Sequence, residues 1–130
     1  MRTKETDMRI LRSVAAMLVL ASPLALNVPP IAAQPKGQKV TVTGEVIDTW
    51  CYLEGGDRGA AKKQCATACA KAGNPIAILD AKGNVFVAAG LQDHQAGRDL
   101  LVDKMSEQVT VTGTLVKKGG MQMIYIESVK

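Results

Sequence analysis

The chain has 130 residues, 47% of them hydrophobic and only 3% aromatic, with 16 Lys and Arg against 12 Asp and Glu. That length suits one small domain behind a leader, not two domains. The positive charge is concentrated at the front: without residues 1–33 the chain keeps 12 basic and 10 acidic side chains, a net +2, and nucleic-acid binding loses its electrostatic basis.

Residues 1–33 read as a secretory signal peptide. Arg9 and Arg12 make a basic start, residues 14–26 are mostly apolar, Pro29 and Pro30 break any helix, and Ile31-Ala32-Ala33 supplies small residues before a cleavage point. Met8 opens a more ordinary basic segment than the mixed-charge residues before it. The apolar run is shorter than the roughly 20 residues of a spanning helix, and Pro23 interrupts it. The protein is therefore expected to be periplasmic or secreted, with no membrane attachment after cleavage. Residues 34–130 form the remaining domain of 97 residues. Export would put its three cysteines in an oxidising compartment. Three is odd, so at least one thiol stays free, binds a metal or pairs with a partner.

From Lys39 the sequence alternates Val40, Val42 and Val46 with Thr41, Thr43 and Glu45, the period of two that predicts a strand. Gly44 stands where a strongly bent barrel strand needs no side chain. The word Val-Thr-Val-Thr-Gly recurs at residues 109–113 and marks a second coiled strand. Residues 54–59 hold Gly55, Gly56, Gly59 and three charges, which predicts a solvated loop. Residues 60–71 are rich in Ala and Lys and predict a helix, stopped by Gly73 and Pro75. Short apolar runs at 76–79 and 85–88 flank the turn Asp80-Ala81-Lys82-Gly83-Asn84. A loop over 90–97 carries the single histidine, His94. Residues 99–105 suit one or two helical turns with Leu100, Leu101 and Met105 inward. The second Val-Thr strand, a Lys117-Lys118-Gly119-Gly120 turn and a last strand over 121–129 follow. That last strand is apolar on both faces, which suits a place between the barrel interior and the helix. The expected fold is mainly β: a five-stranded barrel of OB type with one short cysteine-bearing helix between the first two strands. A small sandwich is the competing architecture.

Chemistry gathers between Asp48 and Cys69. Cys65 and Cys69 share a helix face, but their Cβ atoms would be about 5–6 Å apart, against about 3.5–4.5 Å in a disulfide. Cys51 pairs more easily with either of them, and closing such a loop of about 15 residues is worth roughly 3 kcal/mol. The same three thiols can instead approach one metal ion. With His94 as fourth ligand they would suit Zn²⁺; with a thioether from Met105, Met121 or Met123 they would suit Cu(I). A lone histidine is more often a surface residue, and methionines are more often core filler. Thiol-redox chemistry is a third possibility, with Lys62 and Lys63 as the nearest cations, but the C-x-x-C spacing is absent. Glu54, Asp57 and Asp48 show no hydrolytic arrangement. Trp50 and Tyr52 flank Cys51 and are expected to cover the cysteines. The reading is a non-enzymatic binding module, cross-linked through Cys51 and one helical cysteine, whose partner is a small ligand, a metal or another periplasmic protein.

The pattern Gly44-Glu45-Val46-Ile47-Asp48, Cys51-Tyr52-Leu53, Cys65-Ala66-x-x-Cys69, Gly73-Asn74-Pro75-Ile76, a VTVTG strand and a Gly-Gly hairpin resembles a group of small exported, mostly uncharacterised bacterial proteins with OB-like barrels. The resemblance spans nearly all of residues 34–130 and implies a fold and a compartment. In the proteins it resembles, a histidine often stands three residues before the first helical cysteine. Lys62 holds that place here, which weakens a Cys₃His site carried over from the group and favours the disulfide.

Overall fold

The computed structural model describes residues 35–130; the expected signal peptide over 1–33 lies outside the described residues. The longest strand, β1 (Gln38–Asp48), serves two neighbours. Its first eight residues pair with β4 (Gln108–Lys118), and its last five with β2 (Ile76–Asp80), so Gly44 and Glu45 are shared. With β3 (Val85–Gly90) and β5 (Met121–Val129) the strands close in the order β1-β2-β3-β5-β4. All pairings are antiparallel except β3 with β5. This is a closed, five-stranded, OB-like barrel, as the strand pattern predicts.

The two Val-Thr-Val-Thr-Gly words turn out to be each other's partners. They run antiparallel about Val42↔Val111, with Val40 opposite Gly113 and Gly44 opposite Val109. Val42, Val109 and Val111 point into the barrel, while Thr41 meets Thr112 and Thr43 meets Thr110 outside, the second pair with hydroxyls 2.9 Å apart. The word is self-complementary: one side packs valines and the other aligns threonines, and such cross-strand pairs set the register.

Both terminal glycines of the word are required by space. A Cβ on Gly44 would lie 2.3 Å from the Leu79 carbonyl oxygen, and one on Gly113 would lie 2.1 Å from that of Tyr125. Gly113 also flanks the register shift between β4 and β5.

Five helical pieces decorate the barrel. Between β1 and β2 stand α1 (Thr49–Gly55), a 3₁₀ turn (Ala60–Lys62) and α2 (Lys63–Ala72). Between β3 and β4, α3 (Arg98–Leu101) runs into a 3₁₀ turn (Val102–Lys104). The core joins Val46, Ile78, Phe86 and Ile124 to Leu101 and Met105 from the second connection and to Ala66 and Ala70 of α2. Alanines on that face let the helix approach closely.

Two expectations are corrected here. Residues 49–55 form a helix where a loop was expected from Glu54 onward, because Asp48 caps its start and Gly56 closes it in the left-handed region at φ 73°. The outer face of β5 is not covered by the cysteine helix. α2 packs against β1 and both 3₁₀ turns instead, and half-buried Met123 and Tyr125 lie beside the 90–97 loop. Among the described residues, no helix is long and apolar enough to cross a membrane.

Gly44→Ala is expected to lower stability by about 1–3 kcal/mol, since a backbone carbonyl must yield to the new methyl. Urea denaturation should show a lower midpoint with an unchanged slope.

Candidate metal centre

The site begins where β1 ends. Asp48 still pairs with Ile76 in the barrel, but its side chain already caps α1: Oδ1 accepts the Cys51 N–H at 2.8 Å. An Asp in extended conformation at this position satisfies one of the orphan amides of a helix start. Thr49 ties the same turn to the lead-in of β2, with both its N–H and its hydroxyl donating to the Pro75 carbonyl. The other end is fixed by Gly56, whose N–H donates to the Tyr52 carbonyl at 2.8 Å. The loop that follows is held to β1 through the Gly59 N–H and the Glu45 carboxylate. Cys51 therefore sits in a helix clamped at both ends.

α2 supplies the other two thiols. Ala66 and Ala70 are buried against the barrel, so Cys65 and Cys69, each one residue earlier, fall on the flank beside α1. Cys51 Sγ and Cys69 Sγ are 3.8 Å apart, and the three sulfur atoms all lie within 4.8 Å of one another. Cys65 is exposed, while Cys51 and Cys69 are half-buried. All three are free thiols, so the cross-link expected between Cys51 and a helical cysteine is not formed. Its sulfur atoms would need to close from 3.8 Å to about 2.0 Å.

The spacing fits a metal better. Four ligands at about 2.3 Å in a tetrahedron stand about 3.8 Å apart, the separation of Cys51 and Cys69. The triad can thus hold a metal ion with little movement.

The electrostatics around Cys51 are unusual. Its thiol is pushed up to about 12, first by a hydrogen bond to the Asp48 side chain, then by burial, and then by Cys69. Asp48 is itself 1% exposed, and its Oδ2 is buried without a hydrogen-bond partner. The Cys51 amide donates to Oδ1, while the Cys51 thiol donates to Cys69 Sγ at 3.8 Å. A buried carboxylate with one bare oxygen against a thiol is unfavourable in isolation. A cation held by the thiols would reverse that, since it dominates the local charge. Lys62, one turn before Cys65, donates to Asp57 at 2.9 Å. The Asp57 carboxylate raises the Lys62 ammonium's pKa, and the nearby charges of Cys65 and Cys51 add to the effect.

Other expected site residues are placed elsewhere. His94 is 93% exposed in the 90–97 loop, 3.5 Å from Asp93, and does not join the thiols. Its loop borders β3 and β5, whereas the cysteines stand on the connection between β1 and β2. Met105 is fully buried in the core, Met121 is exposed, and Met123 lies beside the His94 loop. Trp50 is 63% exposed and does not cover the thiols, and Tyr52 packs on Ile47, Ala77 and Leu79. The capping role of Asp48 was the feature sequence reasoning missed; its signal was an Asp two residues before Trp50 with Gly55-Gly56 one short helix later.

The fold and the site define an OB-like barrel bearing a three-cysteine cluster. No family model, curated protein or solved structure matches the chain.

Two outcomes follow from Asp48 and Cys51. Near pH 8 the metal-free Cys51 thiol should react with iodoacetamide on the order of 100-fold more slowly than an ordinary thiol, because the thiolate is the nucleophile. Asp48→Asn, which keeps the cap but removes the charge, should speed it, as read by peptide mass mapping; Asp48→Ala should in addition lose about 1 kcal/mol of stability with the cap. The folded-state pKa of Cys51 lies above the unfolded value, so its contribution to stability is complete below about pH 8.5 and is lost as pH rises towards 12. Alkaline unfolding curves should show that loss in the parent chain and a smaller one in Cys51→Ala.

Proposed function

We propose that the protein is an exported, non-enzymatic binding module whose Cys51, Cys65 and Cys69 together hold one thiophilic ion, Zn²⁺ or Cu(I). The observation that carries this reading is the convergence of three sulfur atoms within 4.8 Å on two separately anchored helices. Thiolate donors select these ions over the harder Mg²⁺ and Ca²⁺. Zn²⁺ and Cu(I) share the donor set, and the ion would supply only charge and linkage between α1 and α2. Binding displaces the Cys51 proton, so uptake is favoured by rising pH. Asp48 then lies behind a ligand in the manner of outer-shell carboxylates, orienting Cys51 through its amide. The export half of the proposal rests on the basic start, apolar run and small residues of 9–33.

A second reading rests on the 3.8 Å between Cys51 and Cys69. Loss of two electrons and two protons to an oxidant would join them and leave Cys65 free, giving a disulfide-tied module or a thiol-redox site. Native mass spectrometry with elemental analysis separates the two. The metal reading expects one ion per chain, three thiols alkylated only after chelation, and at least tenfold weaker binding in each Cys→Ser variant. One disulfide, one free thiol and no metal in protein prepared without reductant would sink it.

A further inference from the structure

We propose that the fourth coordination position of a metal held by the three cysteines is taken by an exogenous thiolate entering on the Cys65 side beside Lys62, and that the ion is passed on by exchange with that thiolate. The proposal rests on the metal reading above and names the chemistry of the partner. Three sulfur atoms fill three corners of a tetrahedron, and among the described residues no further Cys, His, Asp or Glu joins them. Zn²⁺ prefers four ligands, and a site with three protein ligands takes its fourth from outside.

The structure also gives the direction of entry. Asp48 is fully buried behind Cys51, and Cys51 and Cys69 are themselves half-buried, whereas Cys65 is exposed. The Cys65 side is the more open to an incoming group. Three thiolates around Zn²⁺ leave the centre with a net negative charge, which would repel an anionic fourth ligand. Lys62 offsets that repulsion. It lies at i−3 from Cys65, on the same helical face, and the 2.9 Å bond to Asp57 fixes its ammonium near the opening. The first turn of α2, which contains Cys65, adds the positive end of a ten-residue helix. Lys63 does not share this role: its ammonium is drawn to Glu107 just before β4, whereas Lys62, although paired with Asp57, is close enough for Cys65 and Cys51 to act on it.

The exchange conserves electrons. The incoming thiol gives up its proton as its sulfur bonds to the metal. The metal–Cys65 bond then breaks, and the Cys65 thiolate takes up a proton.

The test uses the full chain from residue 34 loaded with Co²⁺, whose sulfur-to-metal charge-transfer absorption reports bound thiolates. Adding glutathione, or a peptide with one cysteine between apolar residues, should raise that absorption saturably by about one third, as four thiolates replace three. Lys62→Glu should weaken the glutathione adduct about tenfold, the cost of placing like charge at the entry, while the chain still binds one Co²⁺. Tighter binding of glutathione marks a small thiol as the natural partner, and tighter binding of the peptide marks a protein thiol. A spectrum unmoved by either thiol, or an adduct indifferent to Lys62→Glu, overturns the proposal and leaves the metal reading standing. Failure to bind Co²⁺, Zn²⁺ or Cu(I) removes both.

Discussion

The arrangement of the thiols depends on one buried carboxylate. Asp48 belongs to the barrel through its pairing with Ile76 and to α1 through its bond to the Cys51 amide. A single residue thus passes the position of the strand to the helix and so to the sulfur. The cost is an oxygen out of water with no partner. Buried polar groups left unsatisfied call for a reason, and a cation drawn in by neighbouring thiolates would provide one. The same carboxylate raises the pKa of the metal-free Cys51 thiol, so the element that builds the site also restrains one of its thiols.

The barrel supports this arrangement through β1. One strand pairs with β4 at its start and β2 at its end, and the crossover falls at a glycine with no room for a methyl group. Its last residues are the first of the site. The self-paired Val-Thr word fixes the register of the first half, and that register sets which side of the barrel Asp48 faces. A slip by one residue would turn Val46 outward and move Asp48 with it.

Much of the barrel was legible in the sequence because its strands repeat with period two and its turns carry Asp80-Ala81-Lys82-Gly83-Asn84 and Gly119-Gly120. α2 was legible from its Ala and Lys content and from Gly73. α1 was not. Thr49, Trp50 and Tyr52 are residues that favour strands, and only a cap at each end makes them helical. The gathering of the three thiols was readable from the i, i+4 spacing and the short connection. The exclusion of His94 was not, since its distance from the thiols is set by barrel closure and not by any local pattern. Trp50 was misplaced for a related reason: adjacency to Cys51 in sequence says nothing about which side of a seven-residue helix the indole takes. The pairing of the two identical words could have been inferred, because a palindrome of valines and threonines suits an antiparallel match.

None of the cysteines belongs to the barrel core, which is filled by Val46, Ile78, Leu101, Met105 and Ile124 and sealed on one side by Ala66 and Ala70. The domain differs in this from small metal-folded modules whose chains are shapeless until an ion arrives. Here the barrel core is complete without the thiols, so the domain would keep its shape whether or not they hold an ion. Scarcity of the ion would then idle the protein without exposing it to proteolysis.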